Sequence, residues 1–257
     1  MNEVLKIIDG RRSVRAYSKH PITPEEKNLI FSATLRAPTA GNMMLYSIIE
    51  IQDQNIKDRL AVTCDHQPFI AKAPLVLLFL ADYQKWVDYF NRCGVEQNCR
   101  DNETQYRTPH EGDLLLALCD ALIAAQTAVI AAESLGIGSC YIGDILEQYE
   151  IHRDLFELPQ YAIPITLICF GHPATNTDTK RSTRFETDSI IHIDKYRRFI
   201  GKELDSVFME TEKRFAKQIH PAEIGNAGQM YYYKKFAAGF AIEMSRSVKE
   251  MLKNWIY

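Results

Sequence analysis

The alternation of hydrophobic and polar positions predicts a chain that mixes helices with buried strands. Residues 2–10 repeat apolar positions at helical spacing, and the repeat ends at Gly10. A second helix is predicted over Pro24–Arg36, because Thr23 and Glu26 have the spacing of a capping box and proline suits the first helical position.

Short apolar runs predict the strands. The run PLVLLFLAD, which begins at Pro74, and the run Ile163–Phe170 are apolar at nearly every position, as expected for strands covered on both faces. Ser47–Ile51 predicts a further strand, and residues 137–143 predict a strand-like turn. Helices are predicted between these strands over residues 56–64 and 144–156.

The longest helical pattern runs from Asp113 to Leu135 and ends at Gly136. This helix is apolar nearly all round, so it must be covered on all sides. A partner subunit is one way to cover it, and a place at the centre of a monomer's core is the other. Asp120 and Gln126 interrupt the apolar run, which favours a buried helix over a membrane span.

Two regions depart from the alternation of strands and helices. Residues 83–112 are polar and rich in aromatic side chains, which predicts a long functional loop or a small excursion from the fold. The pattern from about residue 195 onward is mostly helical. The simplest interpretation is one α+β domain over residues 1–196, with a helical extension over residues 197–257 that packs on the same domain.

Composition agrees with a globular protein and narrows its partners. Of 257 residues, 46% are hydrophobic and 25% are charged, which excludes a disordered chain, a collagen-like fibre and a disulfide-dense mini-protein. The 30 Lys and Arg against 33 Asp and Glu give a net charge of −3, which disfavours a nucleic-acid binder. No apolar signal region is recognised and the six cysteines form no C-x-x-C pair, so we expect a cytoplasmic protein with free thiols and no membrane.

Candidate chemistry begins with the segment Arg11–Arg15, in which three guanidiniums and a hydroxyl fall within five residues. In an extended chain residues 11, 13 and 15 share one face, and guanidinium forks suit phosphate or carboxylate oxygens. Taken alone, such a cluster is more often a solvated basic turn. The basic cluster over residues 180–184 has the same alternative.

Two segments rich in small residues form a second class of candidate. Residues 37–44 lead into the first predicted strand and residues 136–143 follow the long helix, and glycines in both permit close approach to a flat ligand. An ordinary connection explains the first equally well, and a helix stop explains part of the second. No metal site is predicted, because Cys93, Cys99 and His110 lack the spacing of a structural zinc site.

Four blocks, taken in order, resemble one family. RRSVRAYSKHPIT, APTAGNMMLYSIIEI, AAESLGIGSCYIGDI and ICFGHPA with a following basic loop are similar to the FMN-dependent nitroreductase family, over about residues 4–196. The spacing and the helical tail resemble the branch of oxygen-insensitive major nitroreductases and flavin reductases. The resemblance implies an α+β fold with a central, mainly antiparallel sheet flanked by helices, a helical C-terminal extension and a domain-interleaved homodimer.

The resemblance also implies a tightly but non-covalently bound FMN. In such proteins the N-terminal motif contacts the phosphate, ribityl chain and pyrimidine edge, the small-residue loop lines the pocket across the dimer, and a terminal basic motif closes on the phosphate. The implied cofactor-binding residues are Arg11, Arg12, Ser13, Arg15, Thr39, Ala40, Gly41, Asn42, Gln67, Tyr141, Ile142, Gly143, Lys180, Arg181 and Arg184. No catalytic side chain is implied, because the flavin carries the chemistry.

The activity implied by the resemblance is reduction of a small-molecule acceptor by NADPH or NADH. In a ping-pong scheme the donor passes hydride to flavin N5, and a nitroaromatic, quinone or free flavin then takes the electrons on the same face. The alternatives are a specialised reductase or dehalogenase of one metabolite, and an FMN-binding module without turnover. Since the FMN phosphate carries nearly two negative charges, we expect the clusters at residues 11–15 and 180–184 to converge on it.

Three positions depart from the family's pattern. Met44 stands where glutamine is frequent, so one polar contact to the ring is in doubt. Asp144 stands where glycine is frequent and introduces a carboxylate beside the flavin segment. The basic loop has the sequence KRSTRF where a K-P-R-L-P-like pattern is common, so the cation that touches phosphate is not assigned.

Overall fold

The computed structural model describes residues 1–174 and 182–257 of the chain. Its contacts divide it into two compact units, Met1–Thr179 together with Glu243–Tyr257, and Lys180–Ile242. The division predicted at residue 196 stays a prediction. The predicted roles of Lys180 and Arg181 fall outside the described residues.

The first unit combines one sheet with surrounding helices. Its strands are β1 (Tyr46–Glu50), β2 (Leu75–Asp82), β3 (Gly138–Ile142) and β4 (Ala162–Gly171). Its helices are α1 (Glu3–Gly10), α2 (Pro24–Thr34), α3 (Gln54–Thr63), α4 (Phe69–Lys72), α5 (Gln84–Arg92), α6 (Val95–Asp101), α7 (Glu111–Ser134), α8 (Tyr149–Leu155) and the part of α11 (Gly239–Ile256) from Glu243 onward.

The second unit is helical in its described part. It contains α9 (Lys202–Phe215), α10 (Ala227–Tyr231), a π-helical turn over Tyr232–Phe236 and short 3₁₀ geometry at Thr187–Ser189. The prediction of a mostly helical tail is therefore confirmed.

The four strands form one antiparallel sheet in the order β1-β2-β4-β3. β1 and β3 are the edge strands, and a register shift lies between Phe79 and Leu80 where β2 pairs with β4. The predicted α+β class with a mainly antiparallel sheet is confirmed.

Strand β2 is apolar at nearly every position because both of its faces are buried. Leu77 and Phe79 face the core that contains α7, whereas Val76 and Leu78 face a second core that contains α3 and α4. Successive side chains of a strand point to opposite faces, so a strand covered on both sides must be apolar at every position. All eight residues of β2 are buried, as predicted.

The long helix α7 crosses the sheet and packs against all four strands. Small side chains on its inner face, among them Ala117, Ala121 and Ala128, are fully buried and allow a close approach to the sheet. By length and composition α7 is apolar enough to cross a membrane, and it is the one such helix in the described part of the chain. Its packing on the sheet is that of a core helix.

Two boundaries and one region differ from the sequence-based expectations. α2 has the predicted capping box, with Thr23 N donating to Glu26 Oε2 at 2.8 Å, but it ends at Thr34 rather than near Arg36. The interpretation of residues 83–112 as a long loop is wrong, because α5 and α6 lie there and form a small helical excursion. Trp86 of α5 attaches the excursion to the loop before β1 by donating to Met43 O at 2.8 Å.

Candidate functional site

The N-terminal arginine segment lies along the outer edge of β3. Val14 N donates to Ser139 O at 2.9 Å, and Ser13 forms a parallel bridge with Ser139. Gly138 permits this approach, because a Cβ at that position would lie 2.4 Å from Val14 Cγ2. Val14 is buried whereas Ser13 and Arg15 are exposed, so the alternation of an extended chain turns the polar side chains outward.

None of the guanidiniums of Arg11, Arg12 and Arg15 forms an ion pair with another described residue. Arg12 Nε is buried without a hydrogen-bond partner, and the Arg15 guanidinium lies 5.8 Å from the centre of the Phe69 ring. A buried donor without an acceptor is costly unless a ligand satisfies it. The segment is therefore not a fully solvated basic turn.

One carboxylate lies near this charge. Ser139 Oγ is 3.5 Å from Glu133 Oε1 at the end of α7. Burial raises the pKa of Glu133 above its ordinary value, and the positive charges of Arg11 and Arg12 oppose that rise. Glu133 thus lies near Arg11 and Arg12 without pairing directly with either guanidinium.

The predicted flavin segment Tyr141–Gly143 lies at the end of β3, next to the arginine segment. Tyr141 OH donates to Gln126 Oε1 of α7 at 3.1 Å. Burial raises the pKa of Tyr141 to about 12, and the charge of Arg11 acts in the opposite direction, so the two side chains are neighbours. The Ile142 side chain is buried in the second core, which leaves only its backbone for a ligand, and Gly143 is exposed.

Gln67 is hydrogen-bonded to the turn that follows β3. Its Nε2 donates to Asp144 Oδ2 at 2.6 Å and to Cys64 O at 3.0 Å. Behind Asp144, Glu147 is only 5% exposed. The departure from the family's pattern at Asp144 is therefore in direct contact with a predicted flavin residue.

The loop Thr39–Asn42 lies elsewhere. The buried carboxylate of Asp120 on α7 accepts from Ala40 N at 2.9 Å and from Leu45 N at 3.1 Å, which fixes the loop. The loop leads into β1, and β2 and β4 lie between β1 and β3. At the usual strand spacing, that order separates the two edges by about 14 Å. Within one chain, the loop and the arginine segment are not brought together.

The second basic cluster does not complete the site within the described residues. Lys180 and Arg181 lie outside them. Arg184 belongs to the second unit, is exposed, and donates to Ser182 O and Thr183 O of its own loop. The predicted convergence of the two clusters stays a prediction.

An exposed apolar stripe borders the candidate site. Leu115 and Leu116 are 62% and 51% exposed, although they belong to the central helix. The α7 stripe comprises the exposed residues Leu115, Leu116, Cys119, Leu122 and Ile123. The next exposed position on this face is Gln126, which binds Tyr141, so the stripe runs up to the site.

Sequence reasoning missed Asp120, Glu133 and Gln126 as parts of the site. For Asp120 and Gln126 the signal available was the presence of polar residues inside an otherwise apolar helix, which was used only to disfavour a membrane span. No group of three or more His, Cys, Asp or Glu among the described residues is arranged to hold a metal ion.

Comparison with known proteins gives consistent matches. The model of the nitroreductase family matches residues 8–172. The chain is 33% identical over 197 residues to an FMN reductase [NAD(P)H] of Bacillus subtilis (76% of this chain, 75% of the relative), and 29% identical over 196 residues to an oxygen-insensitive NADPH nitroreductase of Salmonella typhimurium (again 76% and 75%). The solved structure of B. megaterium NfrA2 is 26% identical, superposes with a TM-score of 0.78 and covers 99% of this chain and 98% of its own.

Proposed function

The chain belongs to the nitroreductase family, and on that premise we propose that it is an FMN-dependent NAD(P)H oxidoreductase. Its acceptors are nitroaromatics, quinones or flavins, and donor and acceptor take turns at one open face of the site. The observation that carries this proposal is the group of three unpaired guanidiniums beside the edge strand β3.

The residues present fit the phosphate of FMN. A dianionic phosphate offers several acceptor oxygens, and the segment offers Arg11 and Arg15 as well as the unsatisfied Nε of Arg12. Such charge-assisted hydrogen bonds are among the stronger ones in proteins. The exposed hydroxyl of Ser13 lies between these arginines and adds a donor.

The flavin ring fits the polar edge formed by Tyr141, Gly143 and Gln67. Gly143 has open space around its Cα, so backbone can approach a flat ring there. When bound, FMN supplies the redox chemistry, accepting electrons from the reduced nicotinamide and passing them to the acceptor. The chain's own contribution is to bind and orient the ring.

A second copy of this chain completes the site in our proposal. The α7 stripe leaves apolar surface uncovered next to Gln126, and the loop Thr39–Asn42 is too far from the arginines to reach the same ligand within one chain. A two-fold dimer covers the same patch on both copies. A cytoplasmic location belongs to the same proposal and is supported by the free thiols of all six cysteines.

The test is spectroscopic and kinetic. The purified protein is expected to show the blue and near-ultraviolet bands of bound flavin, NADPH or NADH to bleach them without oxygen, and a quinone or nitroaromatic to restore them. Double-reciprocal plots for donor and acceptor are expected to be parallel.

Other results point elsewhere. A colourless protein that takes up no FMN contradicts the proposal altogether. A bound flavin that neither nucleotide bleaches favours the binding module without turnover, and turnover confined to one metabolite favours the specialised reductase.

A further inference from the structure

The amide of Gln67 is held by two acceptors. Cys64 O is a backbone carbonyl 3.0 Å from Nε2, and Asp144 Oδ2 is a carboxylate oxygen 2.6 Å from the same atom. Neither partner has a proton to give while the carboxylate is ionised, so both must face the amide nitrogen. Both amide hydrogens are then used.

The remaining polar atom of Gln67 is Oε1. It has no hydrogen-bond partner among the described residues, since both recorded bonds of this side chain leave from Nε2. An amide oxygen accepts and never donates. Gln67 is thus an acceptor for whatever binds next to it, whereas a freely turning glutamine offers either face.

A second carboxyl group supports Asp144 from behind. Glu147 is 5% exposed, its Oε1 is buried without a partner, and its backbone N donates to Asp144 O at 3.0 Å. Burial, followed by the negative charge of Asp144, raises the pKa of Glu147 to about 7; Asp65 and Glu243 add smaller effects in the same direction. Below that pH Glu147 adds no second negative charge beside Asp144.

We propose that Asp144 is a positioning residue that fixes Gln67 as a hydrogen-bond acceptor for the N3–H of the flavin ring. The oxidised isoalloxazine has a single N–H, at N3, so an acceptor-only side chain on the ring edge recognises that position. The inference rests on the proposed function, because it needs a flavin next to Gln67. It gives a role to the carboxylate that stands where glycine is frequent in the family.

The experiment compares FMN with 3-methyl-FMN, in which N3 carries no hydrogen. Dissociation constants for both flavins are measured by titration of the apoprotein. The native protein is expected to bind 3-methyl-FMN about tenfold more weakly than FMN, because Gln67 Oε1 loses its donor. In Asp144→Ala the amide of Gln67 can turn, so the ratio of the two constants is expected to shrink several-fold.

Two variants separate orientation from charge. Asp144→Asn presents an amide that can donate to Gln67 Oε1 as well as accept from Nε2, so it no longer fixes the orientation and is expected to lose much of the discrimination. Asp65→Asn removes one negative charge from the same neighbourhood, and Asp65 makes no recorded hydrogen bond to Gln67, so the ratio is expected to stay as in the native protein.

The outcomes keep this inference apart from the proposed function. Native protein that binds FMN but does not discriminate, or an Asp144→Ala variant that discriminates as strongly as the native protein, overturns the role of Asp144 and leaves the oxidoreductase proposal standing. Native protein that binds neither flavin overturns both. If Asp144→Ala does not fold, the pair of asparagine variants decides, since equal discrimination in both contradicts positioning by Asp144.

Discussion

Single residues of this protein differ in whether their charge is paired. Arg246 is bound by both Glu150 and Glu243, and Arg107 is bound by Asp113 through two hydrogen bonds. The guanidiniums of Arg11 and Arg15 have no such carboxylate among the described residues. A cluster of positive charges without carboxylate partners is the residue-scale mark of an anion site.

Replacing Arg11 and Arg15 together with alanine is expected to strip FMN from the protein. Each charge-assisted contact contributes roughly 1.5–3 kcal/mol, so the double variant binds FMN at least about 100-fold more weakly. The measurement is the flavin-to-protein absorbance ratio after purification, followed by titration with FMN. Arg36→Ala, at an exposed arginine after α2, serves as the control. A double variant as yellow as the parent contradicts the assignment.

Glu147 makes stability depend on pH in an unusual direction. Its pKa of about 7 lies above the ordinary value of 4.5, so the folded state holds a proton that the unfolded state has released. The free energy of unfolding therefore falls as pH rises through this window. Glu147→Gln cannot ionise and is expected to gain up to about 3 kcal/mol relative to the native protein between pH 5 and pH 8.

Urea denaturation at both pH values measures this change. Glu150 provides a control of opposite sign, because Arg246 lowers its pKa to about 2 and its contribution is lost as pH falls. Glu150→Gln is therefore expected to lose stability relative to the native protein at pH 8. A Glu147→Gln variant whose advantage is the same at both pH values argues against a neutral, buried Glu147.

Among the elements, α7 connects the parts of the site. Asp120, Gln126 and Glu133 are spaced along one helix, so the distance from the first to the last is about 20 Å. Asp120 holds the loop before β1, whereas Gln126 and Glu133 lie beside β3. One rigid helix therefore sets the positions of segments that are remote in sequence.

Removing the Asp120 carboxylate is expected to free the loop that it holds. Asp120→Ala leaves the backbone N–H groups of Ala40 and Leu45 without their acceptor, and each buried unsatisfied group costs about 1–3 kcal/mol. The free energy of unfolding should fall by about 2–5 kcal/mol. Asp120→Asn, which keeps one acceptor oxygen, should lose about half as much. Equal stability of the alanine variant and the native protein in urea would mean that the loop is held by other contacts.

At the scale of the whole molecule, the second copy that we propose accounts for both the uncovered α7 stripe and the site divided between two sheet edges. A charged residue introduced into a buried interface remains unpaired, which costs about 2 kcal/mol or more. Leu115→Glu combined with Leu122→Glu is therefore expected to weaken the dimer by about 30-fold or more and to lower FMN retention with it. Sedimentation over a range of concentrations measures the first effect and absorbance the second.

A control variant and a thiol-labelling measurement test whether the α7 stripe is the dimer interface. Val62→Glu introduces a single glutamate at an exposed valine of α3, which packs on the opposite face of the sheet, and serves as the control for each single substitution in the stripe. Cys119 lies within the stripe, so in the dimer its thiol is expected to react with maleimide more slowly than the exposed Cys93. A native protein that sediments as a monomer with FMN bound contradicts the completion of the site by a second copy.

The sequence by itself determined the elements that depend on local chemistry and on period. The capping box at Thr23 and Glu26 defined the start of α2, and the two-sided apolar run defined β2, because these signals act over a few residues. The arginine segment and the Tyr141 segment were also identified from sequence, through their family resemblance. The helices within residues 83–112 were missed, since their polar and aromatic composition gave no clear apolar period.

Only the tertiary structure decided which of these segments meet. It brought Arg11 next to Tyr141 and Asp144 next to Gln67, and it put the loop Thr39–Asn42 at the other edge of the sheet. It also turned one face of α7 to the core and left the other uncovered, which hydrophobicity alone did not distinguish. The reason is that strand order and helix packing bring together residues far apart in the chain, and no local pattern records those contacts.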